Sequence, residues 1–124
     1  MNTSATPIQM YGIPNCQTVK LARAWLAEHA GEVLFHDFKK QGVPEKLLSD
    51  GLAQVGWETL VNRKGTTWRQ LDEPSRAAVV DAASATALML AHPSVIKRPV
   101  VVWPDARITV GFNAEAFAAR LTSR

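Results

Sequence analysis

Ile8-Gln9-Met10-Tyr11-Gly12-Ile13-Pro14-Asn15-Cys16-Gln17-Thr18-Val19-Lys20 is the stretch whose reading decides the fold. The apolar run from Ile8 to Ile13 is strand-like in composition and ends at the breakers Pro14 and Asn15. Beyond them Val19, Ala22, Trp25, Leu26 and His29 recur at three- and four-residue spacing until Gly31, which predicts a helix. Val33 to Phe38 then reads as a second strand. A strand-helix-strand order within about 30 residues normally closes a parallel pair by a right-handed crossover, so the chain is predicted to build an α/β sheet.

Working outward, residues 1–7 are short and polar without periodicity and read as a flexible start to a single domain over residues 8–124. Lys39-Lys40-Gln41-Gly42 reads as a basic, solvated turn. Pro44 and Glu45 then open a helix whose apolar stripe is Leu47, Leu48, Leu52 and Val55, with Gly56 as its stop. Trp57 to Val61 reads as a short helical piece and Asn62 to Thr67 as loop. The Ala-rich stretch from Ser75 to Ala91 has high helix propensity, with a break near Asp81 to Ser84 and a close at Pro93. Val100 to Trp103 and Arg107 to Val110, joined by Pro104-Asp105-Ala106, form a predicted hairpin, followed by a last helix from Asn113 to Leu121. The layout is β-α-β, a helical insertion, then β-β-α.

Composition narrows the function classes. At 124 residues with 47% hydrophobic and 20% charged, the chain has the profile of an ordinary globular domain. The first residues lack the apolar core of a signal peptide, and no window approaches the roughly 18 apolar residues of a membrane span, so a cytoplasmic protein with no membrane partner is expected. The single cysteine cannot close an internal disulfide and fits a reducing compartment. A net charge of +3 is too small to argue for nucleic acid, and basic and aromatic residues do not interleave along one face, so Trp25, Trp57, Trp68 and Trp103 read as packing groups. His29, His36 and His92 lack metal-ligand spacing, and no metal is expected. Asp37 has the chemistry of an acid or base, but nothing in the sequence brings it to the cysteine.

Chemistry concentrates at Cys16. With Asn15 or Cys16 itself at the helix N-cap, unsatisfied backbone N–H groups and the positive end of the helix dipole face the sulfur. Thr18 adds a hydroxyl, and Lys20 lies one turn along on the same face. Each favours the thiolate, so the pKa is expected below its ordinary value of about 8.5. The alternative is a buried structural cysteine. No second cysteine lies three residues on, so the resolving thiol has to come from another molecule. Lys97-Arg98-Pro99 immediately precedes the Val100 strand, a position where a cis bond occurs in some proteins.

Four segments together resemble the ArsC/Spx family, in particular its small ArsC-like branch proposed to depend on glutathione: Tyr11 to Lys20, Arg63-Lys64-Gly65-Thr66-Thr67-Trp68-Arg69, Ile96-Lys97-Arg98-Pro99-Val100 and Val110-Gly111-Phe112. The resemblance runs from about Ile8 to Leu121. It implies a thioredoxin-like fold with a helical insertion, a nucleophile at Cys16, a cis-proline at Pro99, and arginines at Arg63 and Arg98 that hold an anion beside the sulfur. Two departures stand out. Arsenate reductases of the family use a further arginine in the last hairpin, and Ile108-Thr109-Val110-Gly111-Phe112 has none; Spx-type regulators commonly carry a Cys-x-x-Cys switch, which is also missing.

The function expected from these readings is a thiol/disulfide reductase. Cys16 attacks an electrophilic sulfur of a small-molecule or protein disulfide, and glutathione, as co-substrate rather than a tightly bound cofactor, or a thiol protein resolves the mixed disulfide. Asn15, Thr18, Lys20, Arg63, Arg98 and Pro99 are the candidate anion- and glutathione-binding residues. The alternatives are an arsenate-reductase-like oxyanion reductase and a non-enzymatic, protein-binding regulator in which Cys16 is at most a redox sensor.

Overall fold

A computed structural model of the chain describes residues 6–122. Residues 1–5 of the expected flexible start, and residues 123 and 124, lie outside this range. The chain divides into two compact units, one built from its two ends, up to Asp37 and from Arg98 onward, and the other from Phe38–Lys97.

The first unit holds a four-stranded sheet of β1 (Ile8–Gly12), β2 (Val33–Asp37), β3 (Val100–Val102) and β4 (Ile108–Val110), in the order β2-β1-β3-β4. β1 pairs in parallel with β2, from Ile8 opposite Val33 to Gly12 opposite Asp37. It pairs antiparallel with β3, where Tyr11 faces Val100 and Gln9 faces Val102, and β3 pairs antiparallel with β4. Two helices belong to this unit, α1 (Gln17–His29) between β1 and β2 and, at the chain's end, α8 (Ala114–Thr122). This is the mixed sheet of a thioredoxin-like fold.

Period-two alternation explains the core. Ile8, Met10, Val101 and Trp103 share one sheet face and form a buried cluster with Val19, Ala22 and Leu26 of α1 and Phe117 of α8. Phe117 meets Trp103 and Phe112 edge to face at centroid distances of 5.0 Å, the arrangement that ring quadrupoles favour. The aromatic groups of this half are therefore largely packing groups. At the end of α1 the Ala30 N–H bonds to the Leu26 carbonyl, and the chain leaves through Gly31 at φ +82°, a backbone region that glycine enters without a Cβ penalty.

The second unit is helical: α2 (Phe38–Gln41), α3 (Glu45–Val55), α4 (Trp57–Leu60), α5 (Thr66–Gln70), α6 (Glu73–Ala77), α7 (Ala82–Ala91) and a 3-10 turn at Pro93–Val95. Leu47, Leu48, Leu60, Val61, Ala85, Met89, Val95 and Ile96 are buried. A bridge between Val61 and Ile96, with Lys97 N–H donating to the Leu60 carbonyl at 2.7 Å, ties the unit just before the chain leaves it at Arg98.

Several boundaries differ from the sequence expectation. Ile13 lies past the end of β1, and Phe38 opens α2 instead of closing β2. Residues 39–41 are one helical turn closed by Gly42 N–H to the Phe38 carbonyl at 3.0 Å, too short for periodicity to register. Thr66 and Thr67 begin α5 because Asn62 accepts the Lys64 and Gly65 N–H groups and folds the loop into a helix start at Gly65. The Ala-rich stretch contains two helices, and its break falls before Asp81, which caps α7. Asp72 caps α6 two residues before Pro74, its side chain accepting the Ser75 N–H.

Candidate active site

The end of β1 leads through buried Ile13 and exposed Pro14 and Asn15 to Cys16, which is itself the N-cap of α1. Its backbone is extended (φ −136°, ψ 125°), and its carbonyl accepts the first helical bond, from Lys20 N–H at 2.9 Å. The thiol is half-buried. It makes no capping hydrogen bond of ordinary geometry, yet the first-turn N–H groups act on it because no residue of a preceding turn can satisfy them.

The sheet brings the second component. Because Tyr11 lies opposite Val100, the residues just before β3 lie beside those just after β1, and Arg98 arrives next to the cysteine loop. The Arg98–Pro99 bond is cis. Pro99 is buried, and its carbonyl accepts Gly111 N–H at 2.8 Å, which fastens the loop to the end of β4. Arg98 is half-buried.

These neighbours set the charge on the sulfur. Burial pushes the Cys16 thiol up; the Val19 N–H, the Arg98 guanidinium through a hydrogen bond and its charge, and the Thr18 N–H oppose that and together hold it below the ordinary thiol value. Thr18 thus acts through its backbone, where the sequence suggested its hydroxyl. The Val19 N–H is one of the first-turn donors expected from the sequence to face the sulfur. Gly111, which anchors Pro99, was noted only as part of a motif.

Asn15, Thr18 and Lys20 are exposed around the thiol. Cys16, Thr18, Arg98 and Pro99 come together within the first unit. Arg63 belongs to the second unit, where it is exposed on the loop after α4, 3.5 Å from Glu58 and with its guanidinium carbon 5.4 Å from the Trp57 ring centre. Val110 lies opposite Val100 at the end of β4. Among the described residues no three His, Cys, Asp or Glu side chains cluster in a way that could hold a metal ion, and no helix is long and apolar enough to cross a membrane.

Comparison with known proteins agrees with this geometry. A protein of Haemophilus influenzae is 39% identical over 112 residues, covering 90% of this chain and 96% of that protein. The global transcriptional regulator Spx of Streptococcus pyogenes is 27% identical over 126 residues, covering 93% of this chain and 85% of Spx. Among solved structures, the YffB protein superposes with a TM-score of 0.85 at 47% identity, covering 92% of this chain and 98% of that one. An arsenate reductase (ArsC) related protein from Brucella melitensis gives a TM-score of 0.73 at 46% identity, with 95% and 97% covered. The profile of the ArsC family matches residues 11–120, so with its thiol at a helix start and its Arg98–Pro99 loop alongside, this chain belongs to the ArsC family.

Proposed function

We propose that the protein is a glutathione-dependent thiol/disulfide reductase with Cys16 as its nucleophile. The observation that carries this reading is the thiol at the N-cap of α1 with its pKa lowered by Arg98 and by the Val19 and Thr18 N–H groups. A thiolate is the nucleophilic form of cysteine, and a value shifted toward ambient pH raises the reactive fraction without removing nucleophilicity.

The reaction proceeds in two exchanges. The Cys16 thiolate attacks the glutathione sulfur of a mixed disulfide, forming a bond between Cys16 and glutathione and releasing the substrate as its thiolate, which takes up a proton from solvent. A second glutathione thiolate then attacks the glutathione sulfur on Cys16, yielding glutathione disulfide and regenerating the Cys16 thiolate. Arg98 stabilises the thiolate in each half and, as a rigid and permanently charged fork, suits a glutathione carboxylate. Asn15, Thr18 and Lys20 offer polar groups at the rim. Arg63 is the family-derived candidate for a second anion contact.

The deciding experiment supplies glutathione with a glutathionylated peptide and follows peptide release for the wild type and Cys16→Ser. Turnover that disappears in Cys16→Ser is expected. If Cys16 alkylates readily at mildly acidic pH while no disulfide in a panel turns over, the binding-regulator reading takes its place, which the similarity to Spx would favour. Arsenate with glutathione is expected to turn over weakly, because Val110 stands where the family's reductases use an arginine; rates comparable to a dedicated arsenate reductase would overturn that expectation.

A further inference from the structure

Gly12, the last residue of β1, is not one of the glycines with positive φ, so its backbone lies in a region open to any residue. Glycine within a strand weakens it and commonly marks a close approach of neighbouring chain. A methyl group at Gly12 would lie 3.0 Å from Cγ2 and 3.7 Å from Cγ1 of Val19, and 3.9 Å from Cβ of Arg98. Carbon atoms pack at roughly 3.5–4.0 Å, so Val19 would have to give by a few tenths of an ångström. Val19 has little room to yield, being fully buried in the core, and its β-branched side chain is stiff about χ1 within a helix. Relief would have to come from the backbone at the first turn of α1, where the Val19 N–H faces Cys16. Gly31, Gly42 and Gly56 differ: each has positive φ and nothing within 4 Å of an added Cβ, so each serves the backbone and not a neighbour.

We propose that Gly12 is a positioning residue for Cys16, its missing side chain being the space into which Val19 packs so that the first turn of α1 and the Arg98 loop seat together beside the thiol. The inference rests on the reading of Cys16 as the working thiolate. Gly12 is buried and acts through Val19.

The test follows the rate of iodoacetamide alkylation against pH for the wild type, Gly12→Ala, Gly12→Ala/Val19→Ala and Gly51→Ala, with thermal unfolding of each. Gly51→Ala is a matched control within the second unit, since a Cβ there would lie 3.2 Å from the Leu60 side chain. Gly12→Ala is expected to move the alkylation inflection to higher pH and slow the reaction several-fold at neutral pH. Removing the Val19 methyls in the double variant is expected to return the profile toward the wild type, and Gly51→Ala to leave it in place. A folded Gly12→Ala with the wild-type profile overturns the proposal, as does a Gly51→Ala shift of the same size. Should Gly12→Ala not fold, the double variant decides. If it folds with the wild-type profile the proposal stands, and if it stays unfolded or keeps a raised inflection the proposal fails. An ordinary thiol profile in the wild type would instead defeat the reading of Cys16 itself.

Discussion

At the residue scale, opposing influences meet on one sulfur. Burial raises the Cys16 pKa, while Arg98 and two backbone N–H groups lower it and prevail. In Arg98→Ala the burial effect is less opposed, so the inflection in alkylation rate is expected at higher pH, with on the order of tenfold slower reaction at neutral pH. Lys20→Ala is expected to change the profile far less, because an exposed, flexible ammonium is screened by solvent. The measurement is a parallel pH titration of both variants. A larger effect from Lys20→Ala would mean that Arg98 is not the cation that matters, and its family-derived role would fall. Pro14 and Asn15 made a helix start legible in the sequence, whereas Arg98 lies more than eighty positions away and meets the thiol only because β3 pairs with β1.

At the element scale, α7 shows how a helix start is secured where propensity alone is ambiguous. The Asp81 carboxylate accepts Ser84 N–H at 2.9 Å, and the Ser84 hydroxyl accepts Asp81 N–H at 3.1 Å, a reciprocal capping box. The backbone N–H and hydroxyl of Ser84 hold the Asp81 carboxyl below the usual carboxylate range. A folded-state value depressed in this way adds stability above the unfolded value and loses it as pH falls through the folded one. Asp81→Ala is therefore expected to lower the Tm by about 2–6 °C at neutral pH, with the gap from wild type narrowing once pH drops below about 4. Thermal scans at several pH values test this; a gap that stays constant into acid would show that the carboxylate's charge does not contribute. Residues 81–84 read as a break in the sequence because Asp and Ser are poor helix-interior residues. The same two residues, placed at a helix start, are what begins α7.

At the scale of the whole molecule, the sheet unit is discontinuous. Its two parts are joined through Phe38–Lys97, which carries the chain from the end of β2 to the start of β3. If that segment were unfolded, pairing β1 with β3 would close a long flexible loop at an entropic cost on the order of 4 kcal/mol, so folding of the helical unit supports the sheet through the chain itself. One cooperative transition is expected. Leu26→Ala in α1 and Leu48→Ala in α3, both nearly or fully buried, should each lower stability by about 2–5 kcal/mol and shift the unfolding of both units together. Trp25 and Trp103 report on the sheet unit and Trp57 and Trp68 on the helical one, so single-tryptophan variants followed in urea give the measurement. Two separated midpoints would show that the units unfold independently.

The amino-acid sequence by itself determined the order of strands and long helices, because periodicity, breakers and turn residues act over a few positions. Ile8 to Gly31 announces β1 and α1, and Pro104-Asp105-Ala106 announces the hairpin. It also determined that a lone cysteine stands at a helix start, since that is a relation between adjacent residues. The tertiary structure alone decided which distant groups reach the sulfur. Arg98 arrives through strand register, and Gly111 fastens Pro99 through a backbone hydrogen bond. Local pattern encodes which conformation a segment prefers, whereas a pKa depends on charges and donors within a few ångströms, and the pairing of strands far apart in the chain is what sets those distances.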